Sequence, residues 1–260
     1  MSYYVEINNK IHKATCDIVP VIKLGCWPEE VERWWLSKEQ RWPDDVTKRR
    51  IVSEGCFLVS RDPGDDKEAI RLQVSFFNAE IHLSSMWSMK QKLVYLLAKA
   101  VYYKRIIPLN SKDDSNENES KEIQLSSYFL KTAMMHLCDE HPPMDDFWND
   151  INEAASHLLQ TLAKNFEQGC LENYFLPNVN LLQKTSRNRL QMAAYVLQKV
   201  MYNPAAELAD VVKELLDRVQ NLNNYAQLAE LALSSFCRGG SYDNQTFIDA
   251  INWLCTMIQN

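Results

Sequence analysis

The chain has 260 residues, a net charge of −6 and only 6 glycines, where an average usage of about 7% would give roughly 18. Few glycines mean few backbone positions with φ > 0. Neither G-x-G-x-x-G nor G-x-x-x-x-G-K-[ST] occurs, which excludes the dinucleotide fingerprint and the Walker phosphate loop. The acidic balance argues against sequence-independent binding of nucleic acid by the whole chain. No apolar run reaches the ~18 residues that a membrane span needs, and the start MSYYVEINNK reads as neither a signal nor a transit peptide. The seven cysteines lie no closer than ten residues apart, so they read as reduced thiols of an intracellular protein, cytoplasmic rather than nuclear.

The first 80 residues or so read as mixed strand and helix. Segments 3–7 and 11–22 are rich in β-branched and aromatic residues, with a turn at Asn8-Asn9-Lys10 between them. Gly25-Cys26-Trp27-Pro28 breaks the second strand, and Pro28 suits the first turn of a helix carrying Glu29, Glu30 and Glu32 near its positive end. That helix is expected to run to about Gln40. Segments 56–60 and 70–76 read as two strands joined by a polar loop. In the second, Ile70, Leu72, Val74 and Phe76 alternate with Arg71, Gln73 and Ser75, as in a half-buried strand.

From Ser84 the period becomes helical, with Met86, Met89, Leu93, Leu96, Leu97 and Ala100 on one stripe. Pro108 ends that element. Residues 110–124 form a polar insert expected to be a disordered loop. Ser126 or Ser127 then caps a helix that Pro142-Pro143 stops. Asp145 is expected to cap the next helix, whose apolar face is Phe147, Ile151, Ala154, Leu158, Leu162 and Phe166, with Gly169 at its C-terminal end. An irregular stretch over 171–182 is followed by expected helices at about 187–202, 205–236 and 244–258. The expected class is α+β, mainly α.

Asp17 is the first candidate for chemistry. It sits among apolar neighbours in Cys16-Asp17-Ile18-Val19-Pro20, and a buried lone carboxylate is costly unless it is paired or binds metal. It is read either as a metal ligand or as a strand residue exposed or paired with Lys13 or Lys23. No acidic-x-acidic pair lies on an apolar strand to complete a two-metal site. The five histidines form no His-x-x-x-His pair, so no zinc is expected. Trp27, Trp34, Trp35 and Trp42 fall within sixteen residues, read as large rings packing a helix on a sheet more readily than as a base platform. Tyr128, beside Ser126 and Ser127 at a helix start, reads either as part of a cap or as a group that meets phosphate, ribose or base.

Three stretches together resemble the male-abnormal-twenty-one family, which includes cyclic GMP–AMP synthase and its innate-immune, receptor-like relatives. CDIVPVIKLGCWP resembles the strand that carries the family's third catalytic aspartate. RLQVSFFNAEIHL resembles its R-L-S-F-x-x-x-E junction. SSYFLKTAMMHLCDEHPP followed by LENYFLPNVNLL resembles the paired S-S-Y-h-h-K-T and N-Y-F-h-P-x-x-N-L motifs of its helical lobe, h being hydrophobic. The resemblance implies a partial polymerase-beta-like nucleotidyltransferase sheet followed by a helical lobe. It divides the chain into a remnant core at 1–83, a family lobe at 84–185 and a further helical tail at 186–260, the tail being a place for a protein partner.

In active members ATP and GTP become a cyclic dinucleotide at a site holding two Mg²⁺. The resemblance makes Asp17 the matching metal-binding and catalytic acid, with Mg²⁺ or Mn²⁺ as cofactor if upstream sequence completed the site. It makes Ser127 and Tyr128 nucleotide-binding, with Arg71, Gln73 and Lys90 as further contacts to nucleoside triphosphate. The departures are specific. Gln73 stands where the motif has arginine, with Arg71 two residues away. Val94 stands where active members have lysine, with Lys90 and Lys92 out of register. Only sixteen residues precede Asp17, so the G-S motif and first acidic pair are expected to be missing. The chain alone is therefore expected to be the inactive C-terminal part of such a protein, or a non-catalytic nucleotide- or protein-binding module.

Overall fold

The computed structural model describes residues 2–7, 10–15, 20–39, 41–61, 71–111 and 124–223. These fall into two units, one formed by residues 1–18 and 209–260 and the other by Val19–Leu208. In the first unit, β1 (Ser2–Ile7) and β2 (Lys10–Thr15) make an antiparallel hairpin, with Tyr4 opposite Lys13.

The second unit holds a three-stranded antiparallel sheet of order β3-β4-β5, made of Val21–Leu24, Cys56–Arg61 and Arg71–Ser75. Ile22, Leu58 and Val74 share one row across it. The single strand expected over 11–22 is thus two strands in two sheets. Pro20 directly precedes β3, and its missing N–H cannot extend a ladder.

Helix α1 (Glu29–Ser37) starts at Pro28 with three glutamates in its first turn. Helix α2 (Asp45–Ser53) lies in the stretch between Gln40 and Cys56, for which the sequence reading names no element. Its cap is Asp44, whose carboxylate accepts the Thr47 N–H at 2.7 Å, a bond that holds this carboxyl below its usual range.

Beyond the sheet the molecule is helical. The chain leaves β5 through Phe76 into α3 (Phe77–Ser85), and α4 (Met89–Arg105) begins after a break at Trp87-Ser88. Ser88 and Gln91 form a reciprocal capping box, satisfying two amides that a helix start leaves open. The buried face of α4 is Leu93, Val94, Leu97, Ala98, Val101 and Tyr102. It is rotated from the expected stripe, leaving Leu96 and Ala100 only half-buried. The restart at Ser88 resets the helical phase, which a periodicity read continuously from Met86 misses.

Helix α5 (Ser127–Glu140) is capped by Ser126 and ends before Pro142-Pro143. Asp145 caps a single 3₁₀ turn, and Asp150 caps α6 (Ile151–Gln168), accepting the Glu153 N–H at 2.9 Å. Ala154, Leu158, Leu162 and Phe166 are buried along α6. Gly169 closes it at φ 70°, the left-handed conformation glycine adopts without strain. Helices α7 (Arg187–Val200) and α8 (Pro204–Asn223) follow. Arg105 at the end of α4 holds Glu207 in the first turn of α8 at 2.9 Å. Helix α6 packs against α4, α5 and α7. The polar insert after Ser111 and the helices expected beyond 223 lie outside the described residues.

An aromatic cluster joins sheet to helices. Trp27 meets Phe76 at 4.6 Å between ring centroids, Phe76 stacks on Phe175 at 5.2 Å, and Trp35 lies 5.4 Å from Phe175. Trp27 donates its indole N–H to the Gly55 carbonyl at 3.0 Å. Three of the four clustered tryptophans are therefore core, Trp27, Trp35 and Trp42 being buried, whereas Trp34 is half-buried. Each large ring removes roughly 150–250 Å² from water.

Candidate functional site

A cavity of about 540 Å³ opens where β5 meets the start of α5 and the irregular 171–184 segment. Its sheet side is Gln73, Val74 and Ser75, continued by Phe76, Phe77 and Glu80 at the start of α3. Across from them stand Ser126, Tyr128 and Phe129, with Asn173, Asn180 and Lys184 from the irregular segment.

Local structure explains why these side chains converge. Strand β5 ends at Ser75, and Phe76 turns the chain directly into α3, placing Glu80 one turn in. Ser126 is the α5 cap, its hydroxyl accepting the Tyr128 N–H at 3.2 Å, so Tyr128 sits in the first helical turn. Asn180 folds the irregular segment on itself. Its side-chain oxygen accepts the Leu171 and Leu182 amides at 3.0 Å, and its amide donates to the Gly169 carbonyl at 2.8 Å. Asn173 does the same over a shorter span, accepting from Phe175 and Leu176. These local bonds satisfy amides that no regular element pairs.

The electrostatics centre on Glu80. Its Oε2 accepts from Lys131 at 2.8 Å and its Oε1 from the Tyr128 hydroxyl at 3.1 Å. The pair is largely shielded, with the carboxylate side chain 12% exposed. Burial first, and then the Glu80 charge, raise the Tyr128 hydroxyl well above the usual tyrosine range. Tyr128 thus stays a neutral donor, its ring fixed by the bond at its tip. Among the described residues lining the cavity, Glu80 is the one acid and Lys184 the one base. Aromatic rings, side-chain amides and hydroxyls make up much of the rest. Such a lining suits a planar, partly polar group held by stacking and by bonds to its edges, with Lys184 near an attached negative charge.

The structure brings together only some of the expected residues. Gln73 and Tyr128 line the cavity. Ser127 does not, its hydroxyl lying 3.4 Å from that of Tyr103, and Ser126 lines the cavity in its place. Lys90 is not among the lining residues and donates to Asn149 at 2.6 Å. Arg71 opens β5 opposite Arg61, two residues along the strand from Gln73. Asp17 lies outside the described residues. Val94 is fully buried on α4. Glu80, Lys131, Asn173 and Asn180 were legible as letters of the quoted motifs, but nothing in their spacing marked them as one cluster.

No three His, Cys, Asp or Glu side chains converge on a common point among the described residues. Within the cavity Glu80 is already engaged by Lys131 and Tyr128. The described residues therefore do not by themselves compose a site for a divalent ion.

A small antiparallel sheet leading into a helical lobe is consistent with a nucleotidyltransferase-like fold. Residues 1–83 match the family model for the Mab-21 protein nucleotidyltransferase domain, and residues 89–199 match that for the Mab-21 protein HhH/H2TH-like domain. The chain belongs to the Mab-21 family. It is also similar to a cyclic GMP-AMP synthase-like receptor of Magallana gigas, with 27% identity over 171 residues. That alignment covers 64% of this chain and 27% of the relative, so the chain spans about a quarter of the length of the protein it matches. Among the described residues no helix is long and apolar enough to cross a membrane.

Proposed function

We propose that the cavity between β5 and α5 binds the base of a nucleoside triphosphate, in a protein of the cyclic GMP–AMP synthase-like receptor type. The observation that carries this reading is the placement of Tyr128. Its ring borders a cavity rimmed by Gln73, Asn173 and Asn180, and its hydroxyl is tied to Glu80. A ring immobilised in this way offers a stacking surface at little entropic cost. Lys184 supplies a positive group for a phosphate.

The chain by itself is proposed to hold nucleotide without converting it. The buried position of Val94 supports this, because a lysine there would face the core and not a phosphate. So does the engagement of Glu80 by Lys131. Asp17 is proposed as a metal-binding acid of the family site, Ser127 as a neighbour of the bound nucleotide, and the segment after 186 as a surface for a protein partner.

Calorimetry with ATP and GTP in the presence of Mg²⁺ tests the binding reading. Tyr128→Ala is expected to weaken binding by the worth of one stacked base, roughly 1–3 kcal/mol. Equal affinity of Tyr128→Ala and the parent chain would refute it. Incubation with both nucleotides and Mg²⁺ or Mn²⁺ tests the lack of turnover. A cyclic dinucleotide that disappears in Asp17→Ala would refute that part.

A further inference from the structure

We infer that Asp139 is a positioning residue for the wall of this cavity. It lies near the end of α5, and its two carboxylate oxygens face different parts of the chain. Oδ2 accepts from Lys38 Nζ at 2.8 Å, and Oδ1 accepts from the Tyr174 hydroxyl at 2.6 Å. Lys38 begins the connection between α1 and α2, and Tyr174 belongs to the irregular segment that forms one side of the cavity. One carboxylate therefore ties three separate stretches of sequence.

The surroundings make this tie stiff. The Asp139 side chain is 12% exposed, and Tyr174 is fully buried. Lys38 Nζ also sits 4.8 Å from the centroid of the Tyr174 ring, so ammonium, carboxylate and phenol form a closed triangle. Lys38 is itself held from behind, because the buried Lys48 on α2 donates to its carbonyl. The Tyr174 ring packs edge-on against Trp35 at 5.5 Å and against His136 at 5.2 Å. Burial raises the Asp139 carboxyl above its ordinary range and Lys38 and Tyr174 only partly counter this, so the tie acts through the direction of its short, shielded bonds.

The consequence lies one residue to either side of Tyr174. Asn173 lines the cavity, and its side chain caps the turn that follows by accepting the Phe175 and Leu176 amides. Phe175 stacks on Phe76, which lines the cavity from the sheet side. Fixing Tyr174 thus fixes both Asn173 and the Phe175–Phe76 stack. No atom of Asp139 needs to reach a ligand for it to set the shape of the wall. Its use in ligand binding rests on the nucleotide reading above; its control of the wall does not.

Hydrogen exchange of the full chain tests the inference directly. Asp139→Asn keeps the shape of the side chain and removes its charge. Tyr174→Phe removes a single hydroxyl and provides a variant that keeps the buried ring. Both are expected to speed exchange of the 173–176 amides about tenfold, with α6 amides unchanged. Lys38→Met is expected to do the same, and Lys38→Arg to restore slow exchange. Unchanged exchange over 173–176 in folded Asp139→Asn and Tyr174→Phe would overturn the inference. ATP titration of the same variants is expected to show affinity lowered at least about fivefold, recovered in Lys38→Arg. Equal affinity in the parent and Asp139→Asn chains would overturn the use of this tie in ligand binding. Failure of the parent chain to bind ATP would sink the nucleotide reading instead, leaving the exchange rates to decide the role of Asp139.

Discussion

Tyr128 and Glu80, 48 residues apart in sequence, meet through a 3.1 Å hydrogen bond, and Lys131 closes the same carboxylate at 2.8 Å. Helix α5 is thereby pinned to α3 across the mouth of the cavity. Glu80→Ala leaves the Lys131 ammonium and the Tyr128 hydroxyl without this partner. The expected loss is about 1–3 kcal/mol of stability, read from the urea midpoint. Glu80→Gln keeps an acceptor for Tyr128 and is expected to lose less. An alanine variant as stable as the parent would mean that the carboxylate contributes nothing to this junction.

Alkaline pH is expected to destabilise the protein through the buried Tyr102 and the half-buried Tyr95 and Tyr128. Burial, then the nearby Tyr103 and Glu80, push the Tyr95 hydroxyl up to about 12 from 10.0. Tyr102 and Tyr128 are raised further, burial again being the main cause. The unfolded chain releases these protons near pH 10, while the folded chain still holds them. The stabilisation they represent is complete below about pH 10 and is lost as pH rises through the folded values. Urea midpoints should fall between about pH 10 and 12, and less steeply in Tyr95→Phe.

Gly55 and Gly25 make a matched pair of substitutions. Gly55 lies at φ 78°, and a Cβ there would collide with the Leu24 carbonyl oxygen. Gly25 has nothing within 4 Å of its would-be Cβ. Gly55→Ala is expected to cost about 1–3 kcal/mol, and Gly25→Ala less than about 0.5 kcal/mol. Thermal melts of the two side by side decide this. The first should also disturb Trp27, whose indole bonds to the Gly55 carbonyl.

Trp35 has no exposed surface and touches Trp27, Tyr174 and Phe175 through its ring. Trp35→Ala should remove roughly 3–5 kcal/mol, as emptying a large aromatic site does. Trp35→Phe retains part of the ring packing and should cost less. A small effect in a chemical denaturation series would mean that the cluster collapses around the gap.

Ser126 and Ser127 differ although adjacent. Ser126 caps α5, whereas the Ser127 hydroxyl makes an exposed 3.4 Å contact with Tyr103. Ser126→Ala is expected to lose about 1 kcal/mol and Ser127→Ala no more than about 0.5 kcal/mol. The reverse order in denaturation experiments would move the cap.

Much of the helical part was legible because its signals are local. Ser126 before an apolar run, Pro142-Pro143 after it, and Gly169 after a 3.6-residue stripe each act within a few residues of where they lie. The family patterns were legible for the same reason, as short strings in a fixed order. Sequence by itself thus determined the mainly helical class, both ends of α5, the C-terminal end of α6 and the Mab-21 resemblance, whereas the start of α6 lies at Asp150 and not at the expected Asp145, which caps a separate 3₁₀ turn. It did not reveal α2, because the apolar face of that helix is short and one of its buried side chains is Lys48. The split between β2 and β3 depends on pairing with different strands, and the inward face of α4 depends on a restart at Ser88. The cavity was least legible of all. Gln73, Glu80, Tyr128 and Asn173 come from four elements and become neighbours only when β5, α3, α5 and the 171–184 segment pack. The ties that hold them span long stretches of chain, 101 residues from Lys38 to Asp139 and 35 from Asp139 to Tyr174. Tertiary structure alone decided these contacts, because closing such loops costs entropy that no local propensity records and only the packed aromatic and charged groups offset.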